Sequence, residues 1–126
     1  MNEIRMTIWG REFKLKVIFD VREGETISEP QNKALSELTS NSTVIDSVLP
    51  LVKDYCLKMN GREINGNTVD NIFMYVVPQS LYIPKWPDGS RMIGLICAYK
   101  FNLEDGLVIV FKDGCFYEIG TQNIIL

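Results

Sequence analysis

The cysteines are the side chains with the most reactive chemistry in this sequence, because a thiolate can act as a nucleophile or a metal ligand. Cys56, Cys97 and Cys115 lie 41 and 18 residues apart, which matches no zinc framework. No histidine stands beside them to activate a thiol. We therefore predict buried, inert thiols. The alternative is a functional thiol, with Cys97 and Cys115 meeting on adjacent strands.

Histidine is absent from the chain, which removes the usual general base near neutral pH, the commonest metal ligand and the middle member of a Ser-His-Asp triad. The glycines occur singly and form no phosphate-binding loop. The sequence thus predicts no catalytic residue, no cofactor and no metal. A small enzyme that uses carboxylate, lysine or tyrosine chemistry remains an alternative.

Two segments carry candidate partner-binding residues. Glu104 and Asp105 form the most concentrated acidic point of the C-terminal half, and the glycine that follows favours a turn over a carboxylate pair for acid–base chemistry. Trp86 and Asp88 lie in a loop rich in turn residues, where a tryptophan either covers the core or anchors a partner. We select Trp86, Asp88, Glu104 and Asp105 as contacts with a protein partner.

The N-terminal half predicts a hairpin followed by helices. Residues 6–9 and 13–19 flank a turn at Gly10, and apolar residues alternate with lysines in the second segment. Ser28 and Gln31 have the spacing of a capping box at a helix start. Apolar residues then recur every three or four positions over residues 44–59, and Pro50 in this stretch predicts a kink or a restart.

The C-terminal half is strand-like over residues 80–83, 92–101, 107–111 and 115–119. Residues 69–77 suit either a short helix or a strand, and Pro78 is expected to end that segment.

The strongest hairpin signal is Asp113-Gly114, since a two-residue type I′ turn needs positive φ at both positions. It predicts that Phe111 faces Phe116, that Val110 faces Tyr117 and that Ile109 faces Glu118. Ile119 is then on the same face as Tyr117. Because both faces of this hairpin are apolar, we expect it to be central in the sheet or covered on both sides.

These elements predict one α+β domain over residues 1–126. Its antiparallel sheet has about six strands, formed by the N-terminal hairpin and the C-terminal strands, packed against two or three helices. So few helices leave part of the sheet uncovered, and an exposed apolar patch is a sign of a partner.

Composition limits the classes of partner. The chain has 126 residues and a net charge of −3, which is unfavourable for binding nucleic acid. No apolar run approaches the roughly 18 residues of a membrane helix. The opening residues 1–6 lack the apolar segment of a signal peptide. We expect a cytoplasmic protein without a nucleic-acid or membrane partner.

Three segments carry a family resemblance: Trp9-Gly10-Arg11-Glu12-Phe13, Ser80-Leu81-Tyr82-Ile83, and residues 104–114. They resemble a family of small bacterial proteins that is described as a domain of unknown function. Proteins of this kind are similar to immunity proteins found beside polymorphic toxins.

The resemblance implies a fold and supplies no catalytic residue. We expect a protein-binding module, and more narrowly an immunity-type protein that neutralises a cognate toxin by occlusion, because a small acidic domain without recognisable catalytic residues suits that role. Carboxylates would pair with a basic toxin domain. The alternatives are the small enzyme described above and a self-associating structural domain, for which a homodimer is possible.

Overall fold

The computed structural model describes residues 2–41, 43–85 and 88–126, and its six strands form one open sheet in the order β1-β2-β3-β4-β5-β6. The strands are β1 (Glu3–Ile8), β2 (Arg11–Phe19), β3 (Val76–Ile83), β4 (Met92–Tyr99), β5 (Leu107–Lys112) and β6 (Cys115–Gly120). Four neighbouring pairs are antiparallel, while β2 and β3 are parallel. The predicted α+β fold is confirmed, with one parallel pair that the sequence reading did not foresee.

The α-helices that the structure describes lie in the crossover between β2 and β3, and a 3-10 helix, Gln122–Ile124, follows β6. The α-helices are α1 (Glu29–Ser40), α2 (Thr43–Ser47) and α3 (Leu49–Asn60). A parallel pair needs such a long connection, whereas the antiparallel pairs are joined by shorter loops. Pro50 lies in the first turn of α3, where its missing N–H costs nothing, so the proline marks a restart of the helix.

The ambiguous segment 69–77 contains both kinds of structure. A 3-10 turn spans Ile72–Met74, and β3 begins two residues later at Val76. The expectation that Pro78 ends this segment is wrong, because Pro78 lies inside β3. The pairing of β3 with β4 shifts its register between Pro78 and Ser80, and such an irregularity tolerates a residue that lacks an N–H donor.

One face of the sheet packs against the helices and forms the main core. Buried side chains of α1, α2 and α3 meet buried side chains from β1 to β5 there. The largest fully buried apolar side chains of this core are Ile8, Leu15, Ile45, Leu81, Ile83, Leu95, Leu107, Ile109 and Phe111. This helical face contains most of the apolar surface that folding removes from water.

The β5–β6 hairpin agrees with the prediction only in part. Asp113 and Gly114 have φ values of 52° and 82°, as a type I′ turn requires, and Phe111 pairs with Phe116. A register shift then follows, so Ile109 pairs with Ile119. Ile119 therefore packs against the main core, and its predicted placement beside Tyr117 is wrong.

The other face of the sheet, here called the open face, is covered only in part. Ile125 packs over β4 and β5 in a second small cluster with Met92, Val108 and Val110. The cover over β5 explains why this strand is buried on both faces, as predicted for the hairpin, whereas β6 is an exposed edge strand. Over β2 and β3 the open face exposes apolar side chains, with Ile18 at 43%.

Candidate interaction surface

The predicted partner-binding residues do not form one site. Asp88 lies in the loop between β3 and β4, and Glu104 and Asp105 lie in the loop between β4 and β5. These loops join opposite ends of β4, whose eight residues span roughly 25 Å. Trp86 falls outside the described residues. Of the three predicted residues that the structure describes, Glu104 and Asp105 are therefore together and Asp88 is apart.

Asp88 has a local structural role. Its carboxylate accepts a hydrogen bond from the backbone N–H of Ser90 at 2.8 Å. Hydrogen bonding from the Ser90 side chain and backbone holds the pKa of this exposed carboxyl below its usual value. This arrangement is an Asx turn, in which the aspartate shapes its own loop.

The β4–β5 loop, residues 100–106, is ordered by its own hydrogen bonds. The Asn102 side chain accepts from the Asp105 N–H at 3.1 Å, and the Asn102 carbonyl accepts from the Gly106 N–H at 2.8 Å. The carbonyl of Asp105 accepts from the Gln122 N–H at 3.2 Å. The predicted turn at Glu104-Asp105-Gly106 is confirmed, and both carboxylates are exposed on it.

Leu103 is the residue of this loop that the sequence analysis missed. It exposes 78% of its surface, the largest fraction among the exposed large apolar side chains described. A leucine between Asn102 and the acidic pair has no helix or strand to bury it. These polar, turn-forming neighbours could have indicated that Leu103 is exposed, whereas the residue type alone suggested burial.

Aromatic side chains in and beside the β4–β5 loop pack against one another. The rings of Tyr75 and Phe101 stack with their centroids 5.5 Å apart, and the Tyr99 ring meets Phe101 edge-on at 5.6 Å. The backbone N–H of Lys100 donates to the Tyr75 carbonyl at 2.8 Å. These contacts tie the loop to the start of β3 and to the main core.

Two exposed methionines lie at the same end of the sheet. Met74 precedes Tyr75 in the chain, and Met59 precedes Asn60 at the end of α3. The Asn60 side chain accepts a hydrogen bond from the Tyr99 hydroxyl at 2.6 Å, which ties this end of α3 to β4. Met59 and Met74 expose 57% and 60% of their surface. We call Met59, Met74, Leu103, Glu104 and Asp105 the basal surface.

A carboxylate enzyme requires acidic side chains that converge on a cavity. Asp20, Arg22, Glu25 and Lys85 line a surface cavity of about 120 Å³. Lys85 donates to Glu25 at 2.9 Å, and this hydrogen bond lowers the pKa of the Glu25 carboxyl. A general acid near neutral pH needs the opposite shift, so this cluster behaves as a surface ion pair.

The thiols divide into two classes. Cys56 and Cys97 are buried, as predicted, but Cys115 is exposed at the start of β6. Cys97 lies on β4 and Cys115 on β6 with β5 between them, so the two are not on adjacent strands. Burial raises the pKa of both the Cys56 and the Cys97 thiol.

Alkylation should therefore distinguish Cys115 from the other two thiols. We expect iodoacetamide to label Cys115 in the native protein, and Cys56 and Cys97 roughly a hundredfold more slowly, because their reaction requires opening of the core. Peptide mass spectrometry of timed samples measures this difference, and labelling in concentrated urea provides the control. Equal native rates at all three positions would contradict the assigned burial.

The part of the chain that the structure describes also bears on metal sites and membrane spans. No three histidine, cysteine, aspartate or glutamate side chains there are arranged to hold a metal ion. Among those same residues, no helix combines the length and apolar character needed to cross a membrane.

The chain is a small α+β domain whose sheet is covered by helices on one face and only in part on the other. An ordered loop displays an apolar side chain between polar ones. The chain belongs to the family described as domain of unknown function DUF6985, whose model matches residues 1–126. No curated protein and no solved structure matches the chain significantly.

Proposed function

We propose that this protein is a protein-binding domain, and specifically an immunity-type protein that neutralises a cognate bacterial toxin in the cytoplasm by direct occlusion. The observation that supports this is the β4–β5 loop, which exposes 78% of Leu103 while hydrogen bonds hold its backbone. A hydrophobic side chain on a fixed loop can enter a partner's pocket with little further loss of conformational entropy.

Charge at the basal surface defines the chemistry of the partner. Glu104 and Asp105 follow the exposed leucine directly, so a pocket that accepts Leu103 would meet two carboxylates at its rim. Rim charges of this kind accelerate association with a surface of opposite sign. The partner is therefore a protein with an apolar pocket bordered by lysine or arginine, as expected for a basic toxin domain.

The central test is binding to the polypeptide encoded by the adjacent gene, prepared as a catalytically inactive variant. Leu103→Ser should weaken the Kd at least tenfold, because an anchor residue contributes about 2 kcal/mol or more. Ile27→Ser is the matched control, since Ile27 is also an exposed apolar residue but lies before α1 at the other end of the sheet. Isothermal titration calorimetry measures both variants.

The acidic pair predicts a different kinetic effect. Glu104→Lys together with Asp105→Lys should slow association and reverse its salt dependence, while the same change at exposed Glu29 should leave both unchanged. Stopped-flow binding at two ionic strengths measures this. If the adjacent polypeptide does not bind, or binds with no sensitivity to the basal surface, the proposal is wrong.

A further inference from the structure

Strand β1 is a free edge of the sheet with regularly spaced, outward-pointing backbone groups. In the part of the chain that the structure describes, β2 is its sole strand neighbour. The two-residue turn joins Ile8 to Arg11, and the Val17 N–H donates to the Asn2 carbonyl at 2.7 Å. Even-numbered residues of β1 therefore exchange hydrogen bonds with β2, and the N–H and C=O groups of the odd-numbered residues point away from the sheet.

This edge lacks several features by which proteins block unwanted strand pairing. All six residues of β1 pair with β2 in an unbroken register, and the strand contains no proline or glycine. The opposite edge, β6, is interrupted by a register shift and ends in Gly120. An unbroken, uncovered edge is a template for another strand.

A groove runs beside the edge on the helical face. It has a volume of about 400 Å³ and is lined by Ile4, Met6, Leu35 and Thr39, with Arg5 and Thr7 completing the β1 side. A strand added to β1 would place alternate side chains beside this groove and the others on the open face. The added strand therefore needs apolar and polar residues in alternation, which is the pattern of β1 itself.

We propose that β1 pairs antiparallel with β1 of a second copy of this chain, with Ile4 opposite Ile4 at the two-fold axis. In this register Glu3 of each copy is opposite Arg5 of the other, and both residues present outward-pointing backbone groups. Opposite charges in directly facing positions stabilise a strand pair. The interface is isologous and joins the two sheets into one of twelve strands.

Charge selects this register over its neighbours. Moving the axis to Arg5 would place two arginines directly opposite each other, which is destabilising. Moving the axis to Met6 would pair Arg5 with Thr7. Neither Glu3 nor Arg5 would then face an opposite charge in the other copy. Among the described residues of each copy, Glu3 and Arg5 form long ion pairs, 3.7 Å to Lys14 and 3.8 Å to Glu12, so both side chains can pair across the axis.

The dimer leaves the basal surface free. The two-fold axis is perpendicular to the sheet, because the two β1 strands are antiparallel and their helical faces align. The β4–β5 loops of the two copies therefore lie at opposite ends of the combined sheet. The dimer does not depend on the proposed toxin binding, and its interface can be tested by itself.

Charge exchange tests the interface directly. The wild-type protein should sediment as a dimer at tens of micromolar, and Glu3→Arg or Arg5→Glu should each weaken dimerisation at least tenfold. An equimolar mixture of the two variants should restore a dimer, since the first copy then carries two cations and the second two carboxylates at the facing positions. Native mass spectrometry should identify it as the mixed species.

The control variant is Glu118→Arg on the exposed edge β6, which should leave the dimer intact. Circular dichroism verifies that each variant is folded. A wild-type monomer at these concentrations overturns the proposal. So does a dimer that both single variants retain, or a mixture that stays monomeric.

Crosslinking tests the register, in a Cys115→Ser background treated with oxidised glutathione. Facing residues of a non-hydrogen-bonded antiparallel pair have Cα atoms about 4.5 Å apart, within disulfide range, so Ile4→Cys should give a covalent dimer. Met6→Cys should not, because four residues of offset separate the two positions by about 14 Å. Crosslinking through Met6→Cys and not through Ile4→Cys would overturn the register.

Discussion

Replacing Gln31 by glutamate should lower the free energy of unfolding by about 3 kcal/mol at pH 7. Gln31 exposes 2% of its surface, and its side-chain amide donates to the carbonyls of Asp20 and Ile83 at 3.0 and 3.1 Å. These carbonyls follow the end of β2 and close β3, the one parallel pair of the sheet. A carboxylate would lose both donors and place a negative charge against two carbonyl oxygens.

The loss of stability caused by Gln31→Glu should depend on pH in a defined direction. Burial beside two carbonyls raises the pKa of the introduced carboxyl in the folded state, so its protonated form is favoured there. The folded variant retains one donor at low pH and loses it as pH rises through the raised pKa. The deficit relative to wild type should therefore shrink from pH 7 to pH 4. Urea unfolding followed by tryptophan fluorescence at both pH values measures it.

An exposed glutamine provides the control for this change. Gln79→Glu alters the charge of β3 at a solvent-exposed position and should change stability by less than about 0.5 kcal/mol. The Asp20 N–H also donates to the Ile83 carbonyl, at 3.0 Å. If Gln31→Glu cost no more than Gln79→Glu, that backbone bond would be sufficient, and Gln31 would not hold the parallel strand ends together.

The role of Gln31 shows how far local sequence signals extend. The capping box with Ser28 is present in the structure, with the Gln31 side chain accepting from the Ser28 N–H at 2.9 Å. The turn at Asp113-Gly114 is also as predicted, and Pro50 marks a restart, which is one of the two outcomes predicted for it. These three features depend on a few adjacent residues, so their chemistry can be read from the chain.

Features that depend on distant residues were not predicted. The side chain of Gln31 also donates to the Ile83 carbonyl at the end of β3, and nothing in the sequence indicates this contact between residues 52 positions apart. The same limit applies to the parallel pairing of β2 with β3 and to the cover of the open face by Ile125. The register shift in β6 misled the prediction for Ile119, because one extra residue moves all later side chains to the opposite face.

The candidate site was predictable to a similar degree. The turn at Glu104-Asp105 follows from local chemistry, and its exposure is confirmed. Asp88 was grouped with it from residue type alone, and the length of β4 separates the two. Leu103 was missed because exposure of an apolar residue depends on whether another element covers it, which only the assembled fold decides.

The loop that carries Leu103 depends on one glycine, so Gly106→Ala should lower the free energy of unfolding by about 3 kcal/mol. Gly106 has a φ of 61°, and a Cβ atom there would lie 2.6 Å from the backbone oxygen of Cys97. A left-handed conformation costs a non-glycine residue about 1 kcal/mol, and overlap with the backbone of β4 adds the larger share.

Gly10→Ala is the control that separates the cost of the left-handed conformation from the cost of the steric overlap at Gly106. Gly10 has a φ of 84°, but nothing lies within 4 Å of its added Cβ atom, so its cost should be about 1 kcal/mol. Urea unfolding of both variants gives the difference, which measures the contact between Gly106 and Cys97. Equal costs would mean that the start of β5 moves away from β4 to admit the methyl group. The backbone of the β4–β5 loop would then be too flexible to hold Leu103 in a fixed position for binding a partner.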